Sequence, residues 1–216
     1  MKKICSFLGD YYHNKKIIYD AIGNALTNVD NVLLASLELA EIQDAINEQK
    51  PELIIISLEN RINPTDEVVD TWLTKDLDTL ITNYVKDGGA IIVLHSALAS
   101  YPHDSKFINM IKGHFVTHPN EHCMVRYTTN DNIPFTDKTG FDYEILDEHY
   151  FVEVNEDETN VFMKSFSKEH GEQIAGWFHD HGKGKVMCIA QTHNEEGYKH
   201  KDTIRLIERA VEYMLG

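Results

Sequence analysis

Cysteine is scarce. The three present, Cys5, Cys123 and Cys188, are too few and too scattered for a disulfide framework or a zinc knuckle. Cys5 and Cys188 lie inside apolar runs, ICSFL and VMCIA, and read as small buried thiols. Basic residues are also in short supply: 20 Lys and Arg stand against 35 Asp and Glu, a formal net charge of −15. Such a field repels phosphate backbones and anionic lipid, which argues against nucleic acid and membrane surfaces as partners. No segment approaches the roughly 18 apolar residues of a membrane span. The apolar stretch after Lys2 and Lys3 ends at Asp10, too short for a signal-peptide core. A cytoplasmic, reduced protein is the expectation. Phosphate loops are missing as well, because Gly88-Gly89 precedes a strand and Gly182-x-Gly184 reads as a hairpin turn, neither in the strand-to-helix context that phosphate needs.

What is present is ordinary globular material, 42% apolar and 25% charged in 216 residues, enough to bury a sizeable core. No repeat, low-complexity tract or linker divides the chain, so one domain over 1–216 is expected. Residues 3–8 read as a strand and 15–26 as a helix with apolar residues at helical spacing. Strand 32–36 and helix 37–49 repeat the unit, with Ser36 as N-cap. Residues 52–57 form a third strand. A long helix is expected from 63 to about 86 with Thr65 capping it, followed by a fourth strand at 90–94. Strands alternating with helices imply right-handed crossovers and a mostly parallel sheet. In the second half, strand-like runs at 122–127, 143–154, 160–166, 172–178 and 185–190 are joined by short turns, and antiparallel hairpins added to the sheet are expected. A last helix covers about 202–214.

Ligands of open α/β sheets bind beyond the carboxyl ends of the strands. In GAIIVLHSALASY the fourth strand runs directly into His95 and Ser96. The strand at 3–8 leads to His13 in GDYYHN, and that at 185–190 leads to His193 in QTHN. Three strand ends reaching imidazole within a few residues suit proton transfer or metal ligation. Asp147-Glu148-His149-Tyr150 lies within a long apolar-rich run. On a strand, Asp147 and His149 face one side and Glu148 and Tyr150 the other, so one pair is directed inward. Pairing 172–178 with 185–190 brings Gln173 near Gln191 at the site end and leaves Trp177 in the core.

His179-Asp180-His181 sits at the far end of that hairpin, roughly 20 Å from His193 at ~3.3 Å per residue, and reads as an exposed polar tip. His118 and His122 have an i, i+4 spacing that serves zinc only on a helix, which Pro119 opposes. There is no His-Glu-x-x-His motif. A dedicated zinc site is therefore not the favoured reading, and His95, His118 and His193 are its candidates should a divalent metal ion be the cofactor.

Taken together, YYHN, AIIVLHSALAS, GHFVTHP, DEHYF, GWFHDHGKGKV and QTHNEEGY occur in the order and at roughly the spacing of the ThuA-like (trehalose utilisation) family, and the chain resembles that family over nearly its whole length. The resemblance implies a flavodoxin-like, class I glutamine amidotransferase-like α/β fold and a role with sugars, disaccharides such as trehalose or their oxidised keto forms. Glutamine amidotransferases of this fold carry a Gly-x-Cys-x-Gly elbow after the strand that matches 90–94. Here the place reads Leu94-His95-Ser96-Ala97-Leu98, without the cysteine or the glycines that let a strained elbow form, so glutaminase activity is not expected.

The leading expectation is acid-base chemistry on a small-molecule sugar, isomerisation or hydrolysis of a keto-glycoside. His95 and His193 would transfer protons, Asp147 or Glu148 would orient an imidazole or bind hydroxyls, and Ser96 is a substitute nucleophile with His193 as its base. Tyr12, His13, His118, Tyr150 and Gln173 would bind the ligand. The alternatives are a non-catalytic sugar-binding or regulatory module and a metal-assisted hydrolase. The oligomeric state, a homo-oligomer included, is left open.

Overall fold

Two strands that are apolar but for Ser57, LIIIS and AIIVL, set the architecture because side chains on successive residues point to opposite faces of a sheet and both faces must be covered. In the computed structural model, which describes residues 1–130, 133 and 140–216, the elements run β1 (Lys2–Leu8), α1 (Lys15–Ala25), β2 (Val32–Leu37), α2 (Ile42–Asp44), β3 (Leu53–Ser57), α3 (Lys75–Lys86), β4 (Ala90–Leu94), α4 (Lys106–Ile111), β5 (Gly113–Thr117) and β6 (Cys123–Thr129). There follow β7 (Asp142–Asp147), β8 (Phe151–Val154), β9 (Asn160–Ser167), β10 (Gly171–His181), β11 (Gly184–Ile189), α5 (Glu195–Lys199) and α6 (Lys201–Leu215).

Among the described residues, nine strands form one sheet in the order β2-β1-β3-β4-β11-β10-β9-β6-β7. The pairs from β2 to β11 are parallel, and those beyond β11 are antiparallel. β5 and β8 pair separately. This is the mixed α/β arrangement expected, a mostly parallel core with antiparallel strands added from the second half. Leu53, Ile55, Ile92 and Leu94 join α1 and α6 residues such as Ile22 and Leu206 in one core. Ile54, Ile56, Ile91 and Val93 join Ile81 of α3 and Phe107 of α4 in the other. Each fully buried aliphatic chain contributes about 1.5–3 kcal/mol, so this strip anchors the fold. No helix of the described residues is long and apolar enough to cross a membrane.

Three expectations need correction. The long helix begins at Lys75, capped by Thr74 rather than Thr65. Residues 59–74 instead fold into a loop: the Asn63 side chain accepts the Asp70 N–H, Arg61 bridges to Thr71, and the buried Trp72 donates its indole N–H to the Glu59 carbonyl. Ser36 lies inside β2 and caps nothing. Glu38 and Glu41 form a capping box instead, and only short helical turns follow up to Gln49, since Ile42, Ala45 and Ile46 are all that this segment buries. The run 143–154 breaks after Asp147, sending Phe151–Val154 to the second sheet.

The β10–β11 hairpin is as expected, and Trp177 is fully buried with its indole N–H on the Ile111 carbonyl at 2.7 Å. His179 is not at an exposed tip. Its ring is buried between the Met110 carbonyl at 2.8 Å and the Thr159 hydroxyl at 2.9 Å.

Two measurements check these assignments. Trp177→Ala should lower stability in urea by about 3–5 kcal/mol. Burial holds the His179 imidazole below its ordinary value, so the unfolded chain takes up the proton first and stability falls as pH drops below about 6.5. The buried His95 and His149 are shifted the same way, so His179→Gln should remove only part of the loss between pH 7 and 5. An unchanged pH dependence in that variant would show that the ring is not buried.

Candidate active site

Because β1, β4 and β11 run in one direction, their carboxyl ends share a rim, and the three histidines that follow them meet there. The ring centroids of His13 and His95 are 5.0 Å apart, those of His13 and His193 4.7 Å, and those of His95 and His193 5.6 Å.

Each imidazole is held by a different local device. After β1 the chain turns at Gly9, whose φ is +82° and where an added Cβ would stand 2.6 Å from the Lys15 Cβ, leaving no room for a side chain. The turn presents Asp10, whose Oδ1 accepts from the backbone N–H groups of Tyr12 and His13 and from His13 Nδ1 at 2.6 Å. Its Oδ2 accepts from the Glu59 N–H. Burial acts to raise the Asp10 carboxyl, but the bonds from His13 and these amides hold it down at about 2. A carboxylate can only accept, so His13 Nδ1 donates to Asp10 and the ring directs Nε2 into the site.

His95 follows β4 with φ of +43°, an uncommon conformation for a residue with a side chain and one that clusters at functional sites. The strained turn therefore forms without the flanking glycines. His95 is completely buried, its ring stacked on Tyr150 with centroids 4.0 Å apart. Nδ1 lies 2.8 Å from the Ala190 carbonyl, which fixes the proton there. Nε2 faces inward, 3.6 Å from Glu148 Oε2 and without a hydrogen-bond partner among the described residues. Burial, opposed by Glu148, keeps this imidazole below its ordinary value.

His193 is located by its backbone, whose N–H donates to Asp147 Oδ1 at 2.8 Å. Its Nδ1 lies 3.0 Å from His13 Nε2 and 3.3 Å from Glu148 Oε2. Partial burial disfavours its charge, yet the Glu148 carboxylate outweighs this and raises the imidazole.

Glu148 is the hub. Its Oε2 faces His95 and His193, and its Oε1 faces His118 at 3.8 Å and His122 at 3.7 Å. Burial alone would raise this carboxyl, but His193 and His95 hold it well below the usual carboxylate range. Residues 148–150 lie beyond the end of β7, so strand alternation does not place them, and Asp147, His149 and Tyr150 are all buried. Glu148 and Tyr150 line the cavity, while His149 is bound by Ser165 and Ser167 on β9. Asp147 accepts from the Tyr127 hydroxyl and from the Glu148 and His193 amides. It is thus a buried anchor that holds two site residues by their backbones.

The cavity, about 330 Å³, is lined by Tyr12, His13, Glu59, Arg61, Ser96, Ala99, Ser100, Phe115, His118, Glu148, Tyr150 and His193. A wider groove of about 800 Å³ lies at the opposite, amino ends of β3, β4 and β11, far from the imidazoles. Two sequence candidates fare differently. Ser96 lines the cavity, and its buried hydroxyl has no hydrogen-bond partner among the described residues. Gln173 pairs with Ser165 in the β9–β10 ladder and is not among the lining residues.

Sequence reasoning missed Asp10, His122, Glu59 and Arg61. Asp10 was legible in principle, three residues before His13 in one turn. Glu59, buried and bound to Arg61 Nε and the Ser100 hydroxyl at 2.7 Å each, comes from the loop that had been assigned in part to a helix.

A family model described as ThuA, trehalose utilisation, matches residues 40–214. No curated relative matches the chain. Among solved structures, a ThuA-like protein from Parabacteroides merdae superimposes with TM-score 0.77 at 12% identity, over 99% of this chain and 90% of that one. A cytoplasmic protein from Salmonella typhimurium LT2 gives 0.65 at 11%, over 98% and 99%. A β-galactosidase from Rahnella sp. R3 gives 0.68 at 8%, over 100% of this chain but 32% of that one. At these identities the likeness is one of fold.

The anchoring by Asp147 is open to measurement. Asp147→Ala strands the Tyr127 hydroxyl and two amides and should cost about 2 kcal/mol or more, whereas Tyr127→Phe, which removes one bond, should cost about 1 kcal/mol. Equal stability of all three proteins in denaturant titrations would refute that role.

Proposed function

The chain belongs to the ThuA family, and we propose that it acts in sugar utilisation by binding a carbohydrate in the cavity above β1, β4 and β11 and moving protons on it through Glu148 and the surrounding imidazoles. The observation that carries this reading is one carboxylate within 3.3–3.8 Å of four histidines at the wall of an enclosed cleft. Groups held at contrasting protonation tendencies, His95 low and His193 high, provide an acceptor and a donor side by side.

The lining suits a sugar. Tyr12, Phe115 and Tyr150 offer aromatic surface for the apolar face of a pyranose, while Glu59, Arg61 and Ser100 offer groups for its hydroxyls. A disaccharide of the trehalose type or its keto form is the proposed substrate, and isomerisation or hydrolysis the proposed reaction. Glutaminase chemistry has no support, since the elbow carries His95 in place of a thiol. A cytoplasmic setting is part of the proposal, in keeping with three unpaired cysteines.

Turnover of trehalose-type disaccharides and their keto derivatives tests the reading. Glu148→Gln and His193→Ala should each lower kcat by roughly 100-fold or more if these groups transfer protons. Saturable sugar binding with no product would reassign the chain as a sugar-binding module, and unchanged rates in both variants would remove the catalytic assignment.

A further inference from the structure

We infer that His13, His95, His193 and Glu148 form a binding centre for one first-row divalent transition-metal ion, zinc being the type case. The four ligand atoms lie within 4.8 Å of one another. Three of the separations between them, 3.0 Å for His13 Nε2 to His193 Nδ1, 3.3 Å for His193 Nδ1 to Glu148 Oε2 and 3.6 Å for His95 Nε2 to Glu148 Oε2, bracket the spacing of about 3.3 Å between neighbouring ligands on an ion with bonds of about 2.0–2.1 Å.

A second observation is independent of the spacing. His95 Nε2 is completely buried, aimed into the cluster and without a hydrogen-bond partner among the described residues. A buried polar atom left in this state costs free energy unless something occupies the space in front of it. The Ala190 carbonyl on Nδ1 leaves Nε2 as a bare lone pair, the form in which imidazole ligates metals. Asp10 does the same for His13. Both contacts are the outer hydrogen bonds that orient metal-ligating histidines. Three nitrogens and one carboxylate oxygen favour zinc or its first-row neighbours over magnesium or calcium, which prefer all-oxygen shells. The path in is the cavity itself, whose wall includes His13, His193 and Glu148.

This deepens the sugar reading, and rests on it only for what reaches the ion. An ion held there would acidify a sugar hydroxyl brought against it, and Glu148 Oε1, the oxygen that faces His118 and His122 and is not needed as a ligand, would be placed to accept the proton. The role foreseen for His95 and His193 as direct proton carriers then becomes ligation.

The test is made on the full chain with no sugar present. After dialysis against a chelator, zinc and cobalt(II) are titrated by calorimetry, with elemental analysis of the washed protein. The expected result is one ion per chain and a cobalt(II) visible spectrum typical of nitrogen and oxygen ligands. Asp10→Asn, which disturbs the tautomer of His13 without removing a ligand, should weaken zinc binding by about 10- to 100-fold. His193→Ala and Glu148→Gln should weaken it further, and His181→Ala, on the far hairpin end, should leave it unchanged. The partly exposed positions of His193 and Glu148 keep the test valid if His95 variants fail to fold. Absence of stoichiometric uptake, or uptake undiminished in His193→Ala and Glu148→Gln, overturns the inference. Sugar turnover by chelated protein that takes up no metal would overturn the metal centre alone, while one tightly held ion with no sugar bound would leave the metal centre standing and sink the sugar reading.

Discussion

The buried carboxylate of Asp147 joins the two halves of this molecule. It ends β7, the outermost antiparallel strand, and through its oxygens it holds Tyr127 on β6, the amide of Glu148 and the amide of His193. A buried carboxylate is costly unless its lone pairs are used, and here the groups that use them are the strand behind it and the two site residues in front. The parallel core alone would end in three histidines whose inner nitrogens face no acid. The antiparallel extension supplies that acid, and Asp147 sets where it lies relative to the rim.

Glu148 can occupy its position only because imidazoles surround it. The chain as a whole is strongly acidic, yet the residues facing this carboxylate are histidines on three separate segments, and His193 and His95 hold it ionised despite its burial. The reverse dependence also holds. His13 and His95 have their Nδ1 atoms committed outward, to Asp10 and to the Ala190 carbonyl, so their inner nitrogens face the cluster. A pocket of this kind is organised for a ligand before one arrives, because the orienting bonds lie outside it.

The strained turn at His95 fits the same pattern. A left-handed conformation at a residue with a side chain is unfavourable by itself, and here it is maintained by stacking on Tyr150, by the bond to Ala190 and by complete burial of the His95–Leu98 turn. The turn forms without a glycine on either side of His95. Packing replaced the conformational freedom that glycine provides.

Much of the core was readable from local pattern. LIIIS and AIIVL announced doubly covered strands because an unbroken apolar run has no solvent face, and the histidines after β1, β4 and β11 could be assigned to one rim because parallel strands must end on the same side. The start of α3 was misread because acidic residues and Thr65 satisfy the local rules for a helix start, whereas Trp72 and Asn63 hold that segment as a loop through contacts remote in sequence. Gln173 was displaced from the site by the ladder to β9, which local alternation does not specify. The sequence by itself determined the strands, their direction and the gathering of His13, His95 and His193, since these follow from hydrophobic period and chain connectivity. Only the tertiary structure decided that Glu148, rather than Asp147, enters the cluster, which tautomers the histidines adopt, and that Glu59 and Arg61 reach the cavity. Those outcomes depend on which buried donors and acceptors find each other across the fold, and no local segment contains both partners.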